Sequence, residues 1–84
     1  EIALSVQHEI NLALESSDGY FREFEIPKSI NGQDYEVNIQ EGSVYVRTSD
    51  NKHALALPVA EVSGDVVKGK NKIKKENGEI LLNL

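Results

Sequence analysis

The sequence predicts an α+β fold in which one N-terminal helix packs on a small, meander-like antiparallel β-sheet. Residues 1–14 repeat their apolar side chains with the period of a helix. From Tyr20 onward, apolar and polar residues alternate with period two, which is typical of half-buried strands. The connections are too short for parallel crossovers, so the strands should be antiparallel. We expect one domain over 1–84, with the helix in 1–17 and the sheet in 20–84.

The helix is in period from its first residue, and no Ser, Thr, Asp or Asn precedes it as a cap. We interpret it as the lower end of a longer helix. Gly19 is suited to the left-handed conformation that ends a helix. The residues expected to face the sheet are Ile2, Ala3, Val6, Ile10, Ala13 and Leu14, whereas Glu1, His8, Glu9, Asn11 and Glu15 lie off this stripe.

Leu4 and Leu12 also lie off the stripe, on a side that otherwise carries polar residues. Single exposed leucines are common on soluble proteins. Two on one helix side are also what a contact with a second helix would use. Both interpretations stay open from the sequence.

The first half of the sheet is predicted as a strand and a hairpin. Pro27 ends the first strand because it lacks an amide donor. A two-residue turn at Glu41-Gly42 joins strands 34–40 and 43–48. In the first strand Tyr20, Phe24 and Ile26 share one side and Phe21, Glu23 and Glu25 the other; the hairpin pairs Ile39 with Val44, Val37 with Val46, and Glu36 with Arg47.

The second half contains a strand over 53–59, a segment over 62–67 and a final hairpin. Pro58 marks an edge or a strand end, and Gly64 indicates a bulge or a bend. Asn77-Gly78 has the preferred chemistry of a two-residue hairpin turn. We expect Leu55, Leu57 and Val59 to point inward, Lys75 to pair with Ile80, Ile73 to pair with Leu82, and Ile80, Leu82 and Leu84 to share a face.

Composition excludes several classes of function. The formal net charge of −5 argues against binding to nucleic acid or to anionic lipid, because both need clustered cations. Cysteine is absent, so disulfides, zinc–thiolate sites and thiol nucleophiles are excluded. No apolar stretch of the sequence approaches the ~20 residues that span a bilayer.

No catalytic motif is apparent, so we predict no enzyme activity, no cofactor and no metal site. The serines include no G-x-S-x-G elbow, and the glycines lack the frame of a phosphate loop. Asp50 and His53 are the only close pair of metal-ligand types, and we expect His8 and His53 to be solvated. Glu23 and Glu25 are expected on the wet face of a strand rather than in acid–base chemistry.

Two surfaces are candidates for binding. One is the sheet face around Glu36, Tyr45 and Arg47, where an aromatic ring stands beside charged groups. The other is a lysine run over 68–75. Its alternating members could bind a phosphate, an acidic glycan or an acidic patch on another copy. The interpretation that we favour is that they protect an edge strand from sheet-to-sheet association. The candidate residues of this run are Lys70, Lys72 and Lys74.

The order of short turn-and-strand motifs resembles the soluble part of archaeal type IV pilin-like proteins, the group that carries class III (prepilin-type) signal peptides. The motifs that carry the resemblance are Asp18-Gly19-Tyr20, Phe24-Glu25-Ile26-Pro27, Gly32-x-x-Tyr35, Val62-x-Gly64, Gly69-x-Asn71-x-Ile73 and Asn77-Gly78-x-Ile80. This sequence contains neither the basic leader nor the apolar membrane helix of that group.

The resemblance implies a structural protein of the cell surface, anchored through an upstream helix absent from this chain. It implies filament formation or adhesion, and partners that are other copies or related pilin subunits. It implies no catalytic residue. The assembly surface that it implies is the helix, with Ile2, Leu4, Val6 and Leu12. The alternative from the residues themselves is a small soluble module that recognises a glycan or a protein through the outer sheet face.

Overall fold

The computed structural model describes residues 2–84, which form one helix and seven strands. Glu1, which we assigned to the helix, lies outside the described residues. The elements are α1 (Ile2–Glu15), β1 (Phe21–Ile26), β2 (Tyr35–Gln40), β3 (Ser43–Thr48), β4 (Ala54–Pro58), β5 (Ser63–Gly64), β6 (Gly69–Glu76) and β7 (Glu79–Leu82).

The helix packs on two sheets, which confirms the predicted α+β class with a helix on antiparallel strands. One sheet has the order β1-β6-β7-β5 and the other is the meander β2-β3-β4. Helix α1 contacts β3 and β4 of one sheet and β1, β6 and β7 of the other. The prediction of a single sheet is wrong. The strand that follows Pro27, β2, does not pair with β1. Instead, β1 pairs with the later strand β6.

The prediction of a wholly antiparallel sheet is also wrong, because β5 and β7 are parallel. The connection from β5 to β7 needs no crossover helix, because it runs through β6. Strand β6 lies two positions away from β5 in the sheet, and β7 then fills the position between them. Gly64 permits this close pairing. Its φ is +98°, and a Cβ there would lie 2.0 Å from the carbonyl oxygen of Leu82.

Both predicted hairpins are confirmed in their turns and registers. Glu41 and Gly42 have φ of 52° and 77°, and Asn77 and Gly78 have φ of 52° and 78°. Positive φ at both central residues is the type I′ geometry that matches the twist of paired strands. The predicted pairs are all present: Ile39–Val44, Val37–Val46, Glu36–Arg47, Lys75–Ile80 and Ile73–Leu82.

The core lies between the helix and the two sheets. Ile10 is fully buried there, and burial of such a side chain contributes about 1.5–3 kcal/mol. The predicted helix stripe is confirmed for Ile2, Ala3, Val6, Ile10 and Ala13. The sheets contribute Ile26, Tyr35, Val44, Val46, Val66, Ile73, Ile80 and Leu82.

Two predictions at the margins of the stripe are wrong. Leu14 is 50% exposed, because it lies in the last turn of the helix, near the end of the sheets. Glu9 is buried although it is charged. It lies three residues after Val6 and four before Ala13, so it falls on the buried side, where Arg22 of β1 provides a cation.

Two predictions about the strands are corrected as well, and a third is refined. Leu55 shares the inward face with Val46, as predicted, but it is 42% exposed because β4 is an edge strand that the helix covers only in part. Leu84 is 68% exposed because β7 ends at Leu82. The lysine run does not protect an edge, since β6 lies between β1 and β7. Pro58 does mark an edge strand, as predicted.

Candidate functional site

The outward side of helix α1 is partly apolar. Leu4 is 54% exposed there and Leu12 is half-buried, whereas Leu14, which is 50% exposed, lies at the end of the sheet-facing stripe. Ile2 and Val6, the other two predicted contact residues, lie in the core beneath the helix. The outward side of the helix therefore presents Leu4 and part of Leu12 to a partner, Leu14 is exposed at the end of the helix, and the remaining apolar residues are used within the domain.

The helix is fixed to the strands by polar contacts at three levels. The Glu9 carboxylate forms an ion pair with Arg22 of β1, with 2.9 Å between Oε1 and Nε. Gln7 donates from Nε2 to the carbonyl of Pro58 on β4 at 2.8 Å. Lys75 of β6 donates from Nζ to the carbonyls of Leu14 and Ser16 at 2.9 and 2.8 Å. A cation is favourable there, because the last carbonyls of a helix carry partial negative charge.

The predicted surface at Glu36, Tyr45 and Arg47 comes together on the outside of the three-stranded sheet. Arg47 donates to Glu36 at 2.7 Å, and both side chains are exposed to water. Tyr45 is 37% exposed on the central strand. The three residues line a depression of about 420 Å³ at the edge formed by β2, together with Val37, Asn38 and Gln40.

The lysine run is divided between two faces of the sheet. Lys70, Lys72 and Lys74 alternate with the buried residues Asn71 and Ile73, so they share the outer face. Lys70 is paired with Glu25 and Lys72 with Glu23 across the β1–β6 ladder. Opposite charges on directly paired residues attract, and here they offset the positive potential of the run.

Lys68 is held by an acidic and an aromatic neighbour. Its Nζ lies 2.5 Å from Oδ1 of Asp34 and 5.3 Å from the centre of the Tyr35 ring. The hydrogen bond from Lys68 holds the pKa of the Asp34 carboxyl below its usual value, and the amide of Tyr35 adds to the effect. Burial raises the pKa of Tyr35, whose hydroxyl donates to the carbonyl of Pro27.

Two polar residues that the sequence analysis did not propose as site residues hold the loops near β6. Asn71 is fully buried, and both the oxygen and the nitrogen of its side-chain amide form hydrogen bonds. It accepts from the amide of Val67 and from Asn83, and it donates to the carbonyls of Val67 and Gly69. The sequence feature that indicates this role is an asparagine at an inward position of the strand, where the alternation predicts an apolar residue.

Asp65 joins the two sheets. Its Oδ1 accepts from the amide of Ile39 on β2 at 2.7 Å and from its neighbour Val66 at 2.8 Å. The amide of Ile39 points to the open edge of β2, and the carboxylate satisfies this amide. No sequence pattern relates these two positions, which are 26 residues apart.

His8 and His53 are exposed, as expected. Asp50 accepts from the Thr48 hydroxyl at 2.6 Å and from the amide of Lys52 at 3.0 Å. The Thr48 hydrogen bond is the main cause of the lowered pKa of Asp50. Within residues 2–84 no three side chains of His, Cys, Asp or Glu converge as metal ligands.

Comparison of this chain with protein-family models, with curated proteins and with solved structures gives no match in any of the three. Within the described part of the chain, no helix has the length and apolar character needed to cross a membrane.

Proposed function

We propose that this chain is the exposed head domain of a membrane-anchored, type IV pilin-like subunit at the cell surface. Its role is structural, in a filament or in adhesion, and its partners are other copies or related subunits that contact helix α1. The observation that carries the proposal is the two-sided helix. One side is buried on both sheets, and the other exposes Leu4 and, in part, Leu12.

The attachment of the helix supports this role. A subunit that assembles through a helix must keep its head at a fixed orientation to that helix. The Glu9–Arg22 ion pair and the Lys75 contacts tie the helix to the four-stranded sheet, and Gln7 ties it to the other sheet. The two sheets are joined to each other through Asp65.

The motifs on which the resemblance rests also have a structural role in this fold. Gly19, Gly64 and Gly69 have φ of 94°, 98° and 88°, values that favour glycine. Asn71 anchors the loop before β6, and Tyr35 anchors the loop after β1 through Pro27. These residues therefore specify turns and loop contacts, as expected for a shared scaffold.

Surface display of the full gene product tests the proposal. An antibody raised against this domain should label intact cells, and it should detect the protein in material sheared from them. The reading frame should also encode about 20 apolar residues upstream. Label confined to the cytosol, or a polar upstream domain, would overturn the proposal.

A matched pair of variants tests the role of the helix. Leu4→Gln should lower the amount of protein in the sheared fraction, because it places a polar group in the helix contact. Val67→Gln is the control, since Val67 is 50% exposed but lies in the β5–β6 loop. Equal effects of the two substitutions would argue against assembly through this side of the helix.

A second candidate function is a binding module that recognises a glycan or a protein. The observation that favours it is the depression of about 420 Å³ lined by Glu36, Tyr45 and Arg47. Saturable binding on a glycan array or in a pull-down, lost in Tyr45→Ala, would support it. The control is Lys70→Ala on the other sheet, and binding that persists in Tyr45→Ala would exclude this surface.

A further inference from the structure

The edge of β4 is the least protected strand edge of the described chain. The outer strands of the two sheets are β1, β5, β2 and β4. Three of the six residues of β1 are charged, β5 has only two residues, and Asp65 takes the outward amide of Ile39 on β2. By contrast, Ala54–Pro58 carries no charged side chain. An apolar edge of this kind is a template for pairing with another strand.

The register identifies the groups that this edge offers. Thr48 donates its amide to the carbonyl of His53 at 2.9 Å, and Val59 donates its amide to Gly42 at 3.0 Å. These two bonds identify which pairs of the β3–β4 ladder are hydrogen-bonded, because bonded and non-bonded pairs alternate along an antiparallel ladder. Leu55 and Leu57 therefore bond to β3. The main-chain groups of the intervening residues, Ala54 and Ala56, face the open edge.

Pro58 closes the edge at its far end. Its main chain also faces outward, but proline has no amide hydrogen. Its carbonyl accepts the hydrogen bond from Gln7 of the helix. The edge therefore offers two amide hydrogens and two carbonyls, all from Ala54 and Ala56, and this restricts the register of any added strand.

We propose that β4 binds β4 of a second copy of this chain in antiparallel orientation, with a two-fold axis at Leu55. Ala54 of each copy then pairs with Ala56 of the other, and all four open groups of each copy are satisfied. An axis at Ala56 would place Ala54 opposite Pro58, which has no amide hydrogen and whose carbonyl is taken. The two three-stranded sheets become one continuous six-stranded sheet.

Side chains around the axis also favour a second copy. Leu55 is 42% exposed and lines a cavity of about 380 Å³ with Ile30 and Val46. At the axis it would face its own counterpart in a non-bonded pair, where the Cα atoms approach to ~4.5 Å. This pairing does not depend on the proposed function.

Engineered cysteines test the axis, because the chain contains no cysteine of its own. Leu55→Cys should form a disulfide-linked dimer several times faster under mild oxidation than Tyr45→Cys does. The two positions are similarly exposed, at 42% and 37%, but Tyr45 lies on the central strand. Equal rates of dimer formation would overturn the proposal.

A second variant tests the hydrogen bonds. In the Leu55→Cys protein, Ala56→Pro removes one outward amide hydrogen and should reduce the dimer rate to that of Tyr45→Cys. Ala56→Val keeps the amide hydrogen and should leave the rate unchanged. Circular dichroism verifies that each variant is folded. An undiminished rate in folded Ala56→Pro would overturn the proposal.

The unmodified protein provides a test that needs no substitution. Amide hydrogen exchange at Ala54 and Ala56 should slow as the protein concentration rises. Exchange at Glu23, whose amide faces the open edge of β1, should not change. Exchange at Ala54 and Ala56 that is independent of concentration would overturn the proposal, whatever the behaviour of the Ala56→Pro variant.

Discussion

The carboxylate of Glu9 on helix α1 lies 2.9 Å from Nε of Arg22 on β1, and the two side chains differ greatly in exposure. Arg22 is 52% exposed, whereas only 11% of the Glu9 side chain reaches solvent. Oε1 of Glu9 is buried and makes no well-aligned hydrogen bond within the described chain. Arg22 is therefore the group that compensates a carboxylate placed on the apolar side of the helix.

Arg22→Ala should lower the free energy of unfolding by about 1–3 kcal/mol, because it leaves the Glu9 carboxylate in a nearly dry site without its cation. The control is Arg47→Ala. It breaks the Glu36–Arg47 pair, whose side chains are 73% and 43% exposed, and should cost at most about 1 kcal/mol. Urea unfolding measures both. Losses of equal size would show that Glu9 is hydrated and that Arg22 has no special role.

Gly64→Ala should be the most damaging glycine substitution in the chain. A left-handed φ costs a non-glycine residue about 1–2 kcal/mol. At Gly64 a Cβ would also collide with the backbone of Leu82, so we expect a total loss above about 3 kcal/mol and release of β5 from β7. Thermal unfolding and amide exchange at Ser63 and Leu82 measure these effects.

Gly78→Ala is the matched control for Gly64→Ala. Its φ of +78° is also left-handed, but nothing lies within 4 Å of the added Cβ. Only the conformational cost should remain, about 1–2 kcal/mol. If both substitutions lowered the melting temperature equally, close packing between β5 and β7 would not be the reason for Gly64.

Local turn chemistry made much of this fold predictable. Asn77-Gly78 and Glu41-Gly42 fixed two hairpins and their registers, because a two-residue turn leaves one alignment of its flanking strands. The helix stripe was predictable for a similar reason, since its period is local. The Glu36–Arg47 pair in the candidate site followed directly from the second of these registers.

Contacts between distant segments were not predictable in the same way. The pairing of β1 with β6 and the parallel β5–β7 pair depend on which strands meet in space, and no turn specifies that. The burial of Glu9 depends on Arg22, and the outward amide of Ile39 on β2 depends on Asp65 for its partner. A hydropathy pattern assigns both acidic residues to water, because it contains no information about their partners.

Asn71→Ala should lower the free energy of unfolding by about 3 kcal/mol, because the amides and carbonyls that Asn71 serves would be left unsatisfied in a buried site. Asn71→Asp keeps the shape but turns an oxygen toward the carbonyls of Val67 and Gly69, so it should be at least as harmful. The control, Asn38→Ala on β2, should change stability by at most about 0.5 kcal/mol. Equal losses at Asn71 and Asn38 would contradict a structural role for the buried amide.

Acid should weaken the link between Asp34 and Lys68. The pKa of Asp34 is below 3.8 in the folded protein, mainly because Lys68 donates a hydrogen bond to the carboxylate. A lowered folded-state pKa means that the stabilisation is complete above the unfolded value and is lost as the pH falls through the folded value. The stability difference between the wild type and Asp34→Asn should therefore shrink as the pH falls below 3.8.

Lys68→Met tests the cause of this pH dependence. Without the cation, the pKa of Asp34 should rise toward 3.8, and the Asp34→Asn substitution should then have less effect at neutral pH in the Lys68→Met background than in the wild type. An NMR titration of the Asp34 carboxyl carbon measures the pKa directly, and a double-mutant cycle in urea measures the coupling. Because Asp34 is largely exposed, added salt should screen the pair and reduce the coupling. If the carboxyl titrated at the same pH in both backgrounds, the amide of Tyr35 would have to be the main cause of the shift.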